Sequence, residues 1–300
     1  MTELQRYLAE EVAEDLADGI ISRREAVRRL ALLGVTGAAA TGLLAAFAPG
    51  VASASGSAGQ HGQHGGSVTA WAPVAQESIT FAGPRVPLMA AWAPAAKPRG
   101  GVLVIHENRG LTVHIRTVAG RLAASGYSAL ALDLLSEEGG TGAFPGEAEV
   151  AAALAQIPPE RFVEDMKASL TELRNRVHGK KLAAIGFCFG GAMVWRLLTS
   201  NEPRLTAAAP FYGPFPEGAS FEGSRAAVLG VYGGLDTRVT DTLPAAKAGL
   251  EAERLKHELL VFSEANHAFF NDTGTRFNPH AATEAWRRTL NWFDAAVHRH

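Results

Sequence analysis

Cysteine is all but absent from this chain: there is one, Cys188, in 300 residues. A single thiol excludes an intrachain disulfide, and with it the stapled small-domain class. It also excludes zinc sites built from several cysteines. Charge is sparse too. Charged residues make up 19% and the formal net charge is -2. Residues 1–54 carry 5 Lys+Arg and 7 Asp+Glu, so the remainder carries 23 of each and is formally neutral. That balance implies no basic surface, and nucleic acid is not an expected partner. There is no internal repeat. Hydrophobic residues reach 47%, enough for a sizeable core in one large domain or two small ones.

The N-terminal part reads as an address rather than as fold. "SRREAVRR" (22–29) precedes an apolar, Ala- and Gly-rich run that ends in Ala52-Ser53-Ala54, a small-residue cleavage pattern. The order resembles a twin-arginine export signal, which would engage the twin-arginine translocation machinery. Export to the periplasm or beyond, with cleavage near Ala54, is the expectation. The alternative is an uncleaved anchor, since Leu30 to Ala48 is about long enough to span a bilayer. Residues 1–21 are acidic, with Leu4, Tyr7, Leu8, Val12 and Leu16 at helical spacing. They read as a leader with no catalytic role. Residues 55–70 form a Gly/Ser/His linker; its His61 and His64 fit a flexible segment better than a metal site.

From residue 71 the pattern changes to alternating strands and helices. "GGVLVIHE", "YSALALDLL" and "KLAAIGFC" are near-continuous apolar runs, the mark of buried parallel strands. Helical patterns occupy 114–125, 147–156, 160–177, 189–200 and 242–254. A last amphipathic helix places Ala282, Trp286, Leu290 and Phe293 on one face. This alternation predicts an α/β fold over 71–300, a mainly parallel sheet with helices on both faces. In such sheets ligands bind at the carboxyl ends of the strands.

Three strand ends carry reactive side chains. Cys188 stands in Gly186-Phe187-Cys188-Phe189-Gly190-Gly191, between a strand and a helix. Small residues two before and two after the apex let a sharp nucleophile turn close. The helix N-terminus favours thiolate, and the Phe189 N–H is a candidate oxyanion donor. Asp236 follows "VYGG", and His267 lies in "SEANHAFF". Nucleophile, acid, histidine is the chain order of α/β-hydrolases. His267 would take and return the thiol proton, and Asp236 would hold the imidazole's tautomer. A lone buried cysteine is usually an inert core residue, though far less often when glycine-flanked at a strand–helix turn; taken singly, Asp236 also fits a turn former and His267 a loop histidine. The joint arrangement favours acyl transfer to sulfur, then hydrolysis of the thioester. A redox role for Cys188 lacks a resolving cysteine. The third alternative is an exported, non-catalytic binding protein.

"GFCFGG", "GGLDTRV" and "NHAFFND", with "VIHENRG" upstream, together resemble the dienelactone hydrolase (carboxymethylenebutenolidase) family of α/β-hydrolases, over most of residues 75–298. The resemblance implies an α/β-hydrolase fold, hydrolysis of a small ester or lactone, and Cys188, Asp236 and His267 as the triad. It implies that Glu107 holds the resting thiol and moves when substrate binds, and that Asn108 supplies a second oxyanion N–H. It implies no metal and no organic cofactor, and a monomer is expected. The sequence departs from the family where substrate-binding arginines would follow the "DLL" strand end and the catalytic histidine. "LDLLSEEGG" offers Ser136, Glu137 and Glu138 instead, and no arginine follows His267 before Arg276. A less charged ester is therefore as well supported as a dienelactone. Phe189, Trp195, Tyr212 and Phe269 are candidates for an apolar pocket, or equally for the core.

Overall fold

The computed structural model describes residues 1–47 and 72–297. The expected cleavage site at Ala52–Ala54 and the linker histidines His61 and His64 lie outside the described residues. Three helices come first: α1 (Glu3–Ala17), α2 (Arg23–Leu32) and α3 (Gly37–Ala46). The alternating part follows. It runs β1 (Glu77–Phe81), β2 (Leu88–Ala93), β3 (Gly100–Ile105), α4 (Val113–Ala124), β4 (Tyr127–Leu132), α5 (Glu147–Gln156), α6 (Pro159–Arg176), β5 (Leu182–Phe187) and α7 (Phe189–Leu198). It ends with β6 (Leu205–Phe211), β7 (Ala227–Gly233), α8 (Thr237–Thr240), α9 (Leu243–Ala252), β8 (His257–Phe262) and α10 (Pro279–Val297). The sequence-predicted strands and helices fall on these elements with small differences at their ends.

The eight strands form one sheet in the order β1-β2-β4-β3-β5-β6-β7-β8. β2 pairs antiparallel with β1 and β4, and every other pairing is parallel. Every residue of β3, β4 and β5 is buried, which is why these strands read as unbroken apolar runs. α10 buries Ala282, Trp286 and Phe293 as its spacing predicts. β3 lies between β4 and β5, so the chain order reverses beside it. That is the switch point where open α/β sheets form their ligand crevice.

One expectation about the N-terminus is corrected. α1 to α3 are folded against the rest of the chain. Leu4, Tyr7, Leu8 and Val12 of α1, Leu30 of α2 and Leu44 of α3 belong to the same hydrophobic cluster as the sheet. Each such side chain, when fully buried, contributes roughly 1.5–3 kcal/mol. The physical reason is the amphipathic face of α1: the sequence displays it, but what it packs on comes from distant strand ends. Thr2 closes α1 with a capping box to Gln5. The apolar run from Leu30, whose alternative reading is an uncleaved span, is divided between α2 and α3 by a turn at Leu33–Thr36. Among the described residues no helix is long and apolar enough to cross a membrane.

The turn between β5 and α7 depends on close backbone approach. A Cβ on Gly186 would lie 2.1 Å from the Gly190 carbonyl oxygen, and one on Gly190 would lie 2.4 Å from that of Ile105. Both neighbours are backbone and cannot swing away. Gly190→Ala is therefore expected to destabilise by at least ~2 kcal/mol, lowering Tm by several degrees. Gly142→Ala, where nothing lies within 4 Å, should leave Tm unchanged. Paired calorimetric melts check both, and an unshifted Gly190→Ala melt would contradict the packing account.

Candidate active site

Cys188 sits at the apex of that turn, with φ 55° and ψ −119°. A non-glycine residue with positive φ is a strained position, held here by its surroundings. Its N–H donates to the Phe211 carbonyl on β6 at 3.0 Å. Phe189, the first residue of α7, has no intrahelical acceptor for its N–H. Asp236 follows β7 and caps α8, its Oδ1 accepting from the Val239 N–H at 3.3 Å. Its Oδ2 lies 2.6 Å from His267 Nδ1. Asp236 and His267 are both almost fully buried, as an orienting pair shielded from water must be. The structure thus brings the three sequence-predicted residues to one place from three strand ends.

Glu107 is buried after β3. Its Oε2 accepts from Asn271 Nδ2 at 2.8 Å, and its Oε1 is buried without a hydrogen-bond partner. Burial pushes its carboxyl above the usual range. The preceding residue, His106, braces the strand end: its Nε2 accepts from the Leu134 N–H at 3.1 Å while Nδ1 lies 2.6 Å from the Glu107 carbonyl. The role that the resemblance assigns to Glu107, holding the thiol, is taken in this structure by another carboxylate.

That carboxylate is Glu11 of α1. Its Oε1 and Oε2 lie 3.3 and 3.4 Å from Cys188 Sγ. Its Oε1 also lies 2.6 Å from His267 Nε2, an ion pair when the imidazole is protonated. Asn108 Nδ2 donates to Glu11 Oε2. The Tyr7 hydroxyl lies 3.4 Å from Cys188 Sγ. Around this centre α1 is tied by arginines. Arg238 pairs with Glu14 at 3.0 Å and Glu11 at 3.5 Å. Arg276 pairs with Asp15 at 2.9 Å and Asp18 at 2.7 Å.

The charges follow from this packing. Burial by itself would raise Glu11, but the His267 imidazolium and Arg238 outweigh it and hold the carboxyl down at about 2. Burial would lower His267, but Glu11 and Asp236 on either side raise it well above its ordinary range. Burial, then the Glu11 charge, push the Cys188 thiol up. Asp236 is lowered: burial opposes this, and His267 prevails. The Cys188 and His267 directions disfavour the thiolate and favour a protonated imidazole beside it. Glu11, Cys188 and His267 each offer a ligand atom within 4.8 Å of one another. The 2.6 Å contact between Glu11 and His267 is shorter than the ~3.3 Å edge of a tetrahedral zinc site, so an ion would have to spread them.

The remaining sequence candidates are placed differently. Trp195 packs edge-on against Phe215 and Phe221, and Phe189 against Phe162. Tyr212 meets the His267 ring at 5.2 Å and Phe269 at 5.6 Å. All four are fully buried and none lines the cleft. They are core aromatics behind the site, because helix and strand both bury their apolar faces there. The cleft is polar: Glu107, Asn108, Arg109, Asn271 and Arg276 line it, with Glu11 and Asp15 of α1. Glu137 and Glu138 pair with Arg85 and Arg161 instead. Sequence reasoning missed Glu11, Tyr7, Arg238 and Asn271. Arg238 and Asn271 lie inside the quoted motifs, and only the acidic character of α1 hinted at Glu11.

Residues 89–297 match the family model described as the dienelactone hydrolase family. A protein of Salmonella typhimurium named "Putative carboxymethylenebutenolidase" is 31% identical over 205 residues, covering 64% of this chain and 76% of its own. A dienelactone hydrolase-like promiscuous phosphotriesterase from metagenomic libraries superposes with a TM-score of 0.62 at 26% identity, covering 75% of this chain and 99% of its own. The fold is shared with a dienelactone hydrolase of Anabaena variabilis, with a TM-score of 0.59, 18% identity, and 74% and 98% of the two chains covered.

Because the thiol is held protonated, its alkylation by iodoacetamide in the intact chain should keep accelerating above about pH 9, past the roughly 8.5 midpoint of free cysteine. Stopped-time labelling across pH 6–10.5 (a range of order set by those pKa values) checks this. A plateau already reached below neutrality would contradict it.

Proposed function

The chain is a member of the dienelactone hydrolase family and so a carboxylic ester hydrolase; from that premise we propose that it cleaves a small ester or lactone through Cys188, His267 and Asp236. The observation that carries the reading is the 2.6 Å pairing of Asp236 with His267 Nδ1, beside a cysteine on a strained strand–helix turn. In the proposed sequence, which starts from His267 as the free base once Glu11 no longer faces it, the Cys188 thiol passes its proton to His267 Nε2 and Sγ attacks the carbonyl carbon. The oxyanion is held by the Phe189 and Asn108 N–H groups. The tetrahedral species collapses, the C–O bond breaks, and the leaving alkoxide takes the proton from His267. Water, deprotonated by His267, then attacks the thioester. The C–S bond breaks, the acid leaves, and the thiolate regains its proton.

A carboxylate-bearing substrate is supported alongside uncharged ones. The family's two arginine positions are unoccupied, but Arg109 and Arg276 line the cleft from other parts of the chain, and Arg238 lies beside it against Glu11. Guanidinium groups recognise carboxylates through paired hydrogen bonds. Neither a redox role nor a purely binding role has a comparable observation in its favour.

Export also belongs to this reading. Arg23 and Arg24 are exposed at the start of α2, accessible for recognition on a folded chain. Replacing both by lysine should retain the protein in the cytoplasm of an expression host, as read by fractionation and intact mass; unaltered export would count against the signal.

At high enzyme concentration p-nitrophenyl acetate should leave an acetyl group on Cys188, seen by intact mass. Cys188→Ala should lose the adduct and at least ~10³-fold of the turnover, and Asp236→Asn should lower kcat by up to ~10⁴-fold. Wild-type turnover in Cys188→Ala would refute the proposed nucleophile.

A further inference from the structure

The residue pressed against both Cys188 and His267 is not a residue of the family-matched span. Glu11 belongs to α1, and α1 to α3 precede residue 89, where that match begins. Its carboxylate stands 3.3 and 3.4 Å from the nucleophilic sulfur and 2.6 Å from His267 Nε2. An ester carbonyl would have to occupy that same space to be attacked, because attack requires the carbonyl carbon roughly 3–3.5 Å from the nucleophile. The cavity remaining beside α1 is about 170 Å³, below the roughly 300 Å³ at the small end of ligand pockets.

The helix is also matched to the cleft beyond this one contact. Glu11, Glu14, Asp15 and Asp18 face Arg238 and Arg276, and Asn266 beside the catalytic histidine donates to Asp18 at 3.1 Å. Arg196 pairs with Glu3 at 2.6 Å at the other end. The Arg238 guanidinium stacks 4.9 Å above the Tyr7 ring. Leu4, Tyr7, Leu8 and Val12 complete an apolar seam between these charges. A surface helix with no partner role would not need an anion buried between the nucleophile and its base.

We propose that α1 is an intramolecular inhibitor, an acidic helix seated in the substrate cleft with Glu11 in the place of the reacting carbonyl group. The chain is latent while α1 is docked, and hydrolysis requires its displacement. The covalent link between α1 to α3 and the hydrolase part runs through residues 48–71, so one cut in that stretch would leave the inhibitory unit held by its docking contacts alone. A chain exported and cut near Ala54 would be activated by the same event. The inhibitory contact itself is independent of the hydrolase reading. Only the expectation that release restores ester cleavage rests on it.

The test uses the full chain. Glu14→Lys, Asp15→Lys and Asp18→Lys together place cations opposite Arg238 and Arg276 without touching Cys188, His267 or Asp236. Iodoacetamide labelling of Cys188 and hydrolysis of p-nitrophenyl acetate are measured beside wild type, with thermal melts to confirm folding. Labelling and kcat/KM should each rise tenfold or more, the gain expected when a closed state that dominates at 10:1 is opened. A second variant, Glu11→Ala, removes the carboxylate from the sulfur and should raise labelling at least several-fold even if the triple variant fails to fold. Unchanged or slower labelling in folded Glu11→Ala overturns the proposal. Faster labelling without faster hydrolysis upholds the inhibitory helix and refutes the hydrolase reading. Loss of hydrolysis in Glu11→Ala with unchanged labelling would make Glu11 part of the catalytic machinery instead, which also overturns the proposal.

Discussion

Everything at the centre of this molecule hangs on how closely the backbone turn at Cys188 approaches its neighbours. The β5–α7 turn presses against the end of β3 on one side and of β6 on the other, with glycines where any side chain would meet a carbonyl oxygen. That approach holds Cys188 at positive φ and aims its sulfur out of the sheet. It also sets the spacing to the loops after β7 and β8, which deliver Asp236 and His267. β3, β5, β6 and β7 are each hydrogen-bonded to a neighbour on both sides, while β8, which leads to His267, lies at the sheet's edge. Cys188, Asp236 and His267 are therefore brought together by backbone geometry before any side-chain preference is consulted.

A second layer is electrostatic and comes from outside that framework. A buried histidine with one carboxylate partner is an oriented base. With two, Asp236 and Glu11, its protonated form is favoured, and the Glu11 charge beside the thiol disfavours thiolate. The same residues that would run acyl transfer are thus faced by a carboxylate that one helix inserts between them. The acids of α1 and the arginines of the cleft are buried together, and each would be costly there without the other. Their pairing explains how an acidic helix can pack on a polar cleft.

Much of this was legible beforehand. Continuous apolar runs identified β3, β4 and β5, and period-3.6 patterning identified α10, because full burial and one-sided burial leave different signatures along a chain. The glycine spacing around Cys188 and the strand-end placement of Asp236 and His267 pointed to the triad. The aromatic residues Trp195, Tyr212 and Phe269 were open between pocket and core, since hydrophobicity alone does not say which side of a packed layer a ring occupies. Arg109 and Arg276 line the cleft from chain positions other than those the family pattern points to, because a cleft gathers groups by where they stand in space.

The sequence by itself determined the α/β alternation, the nucleophile turn, and the chain order of cysteine, aspartate and histidine, since each is written in local spacing. Only the tertiary structure decided that Glu11 lies against Cys188 and His267, residues 177 positions and more away. Long-range packing of an amphipathic helix depends on a complementary surface assembled from several strand ends. No local pattern in residues 1–21 encodes that surface; it exists only once the sheet has formed.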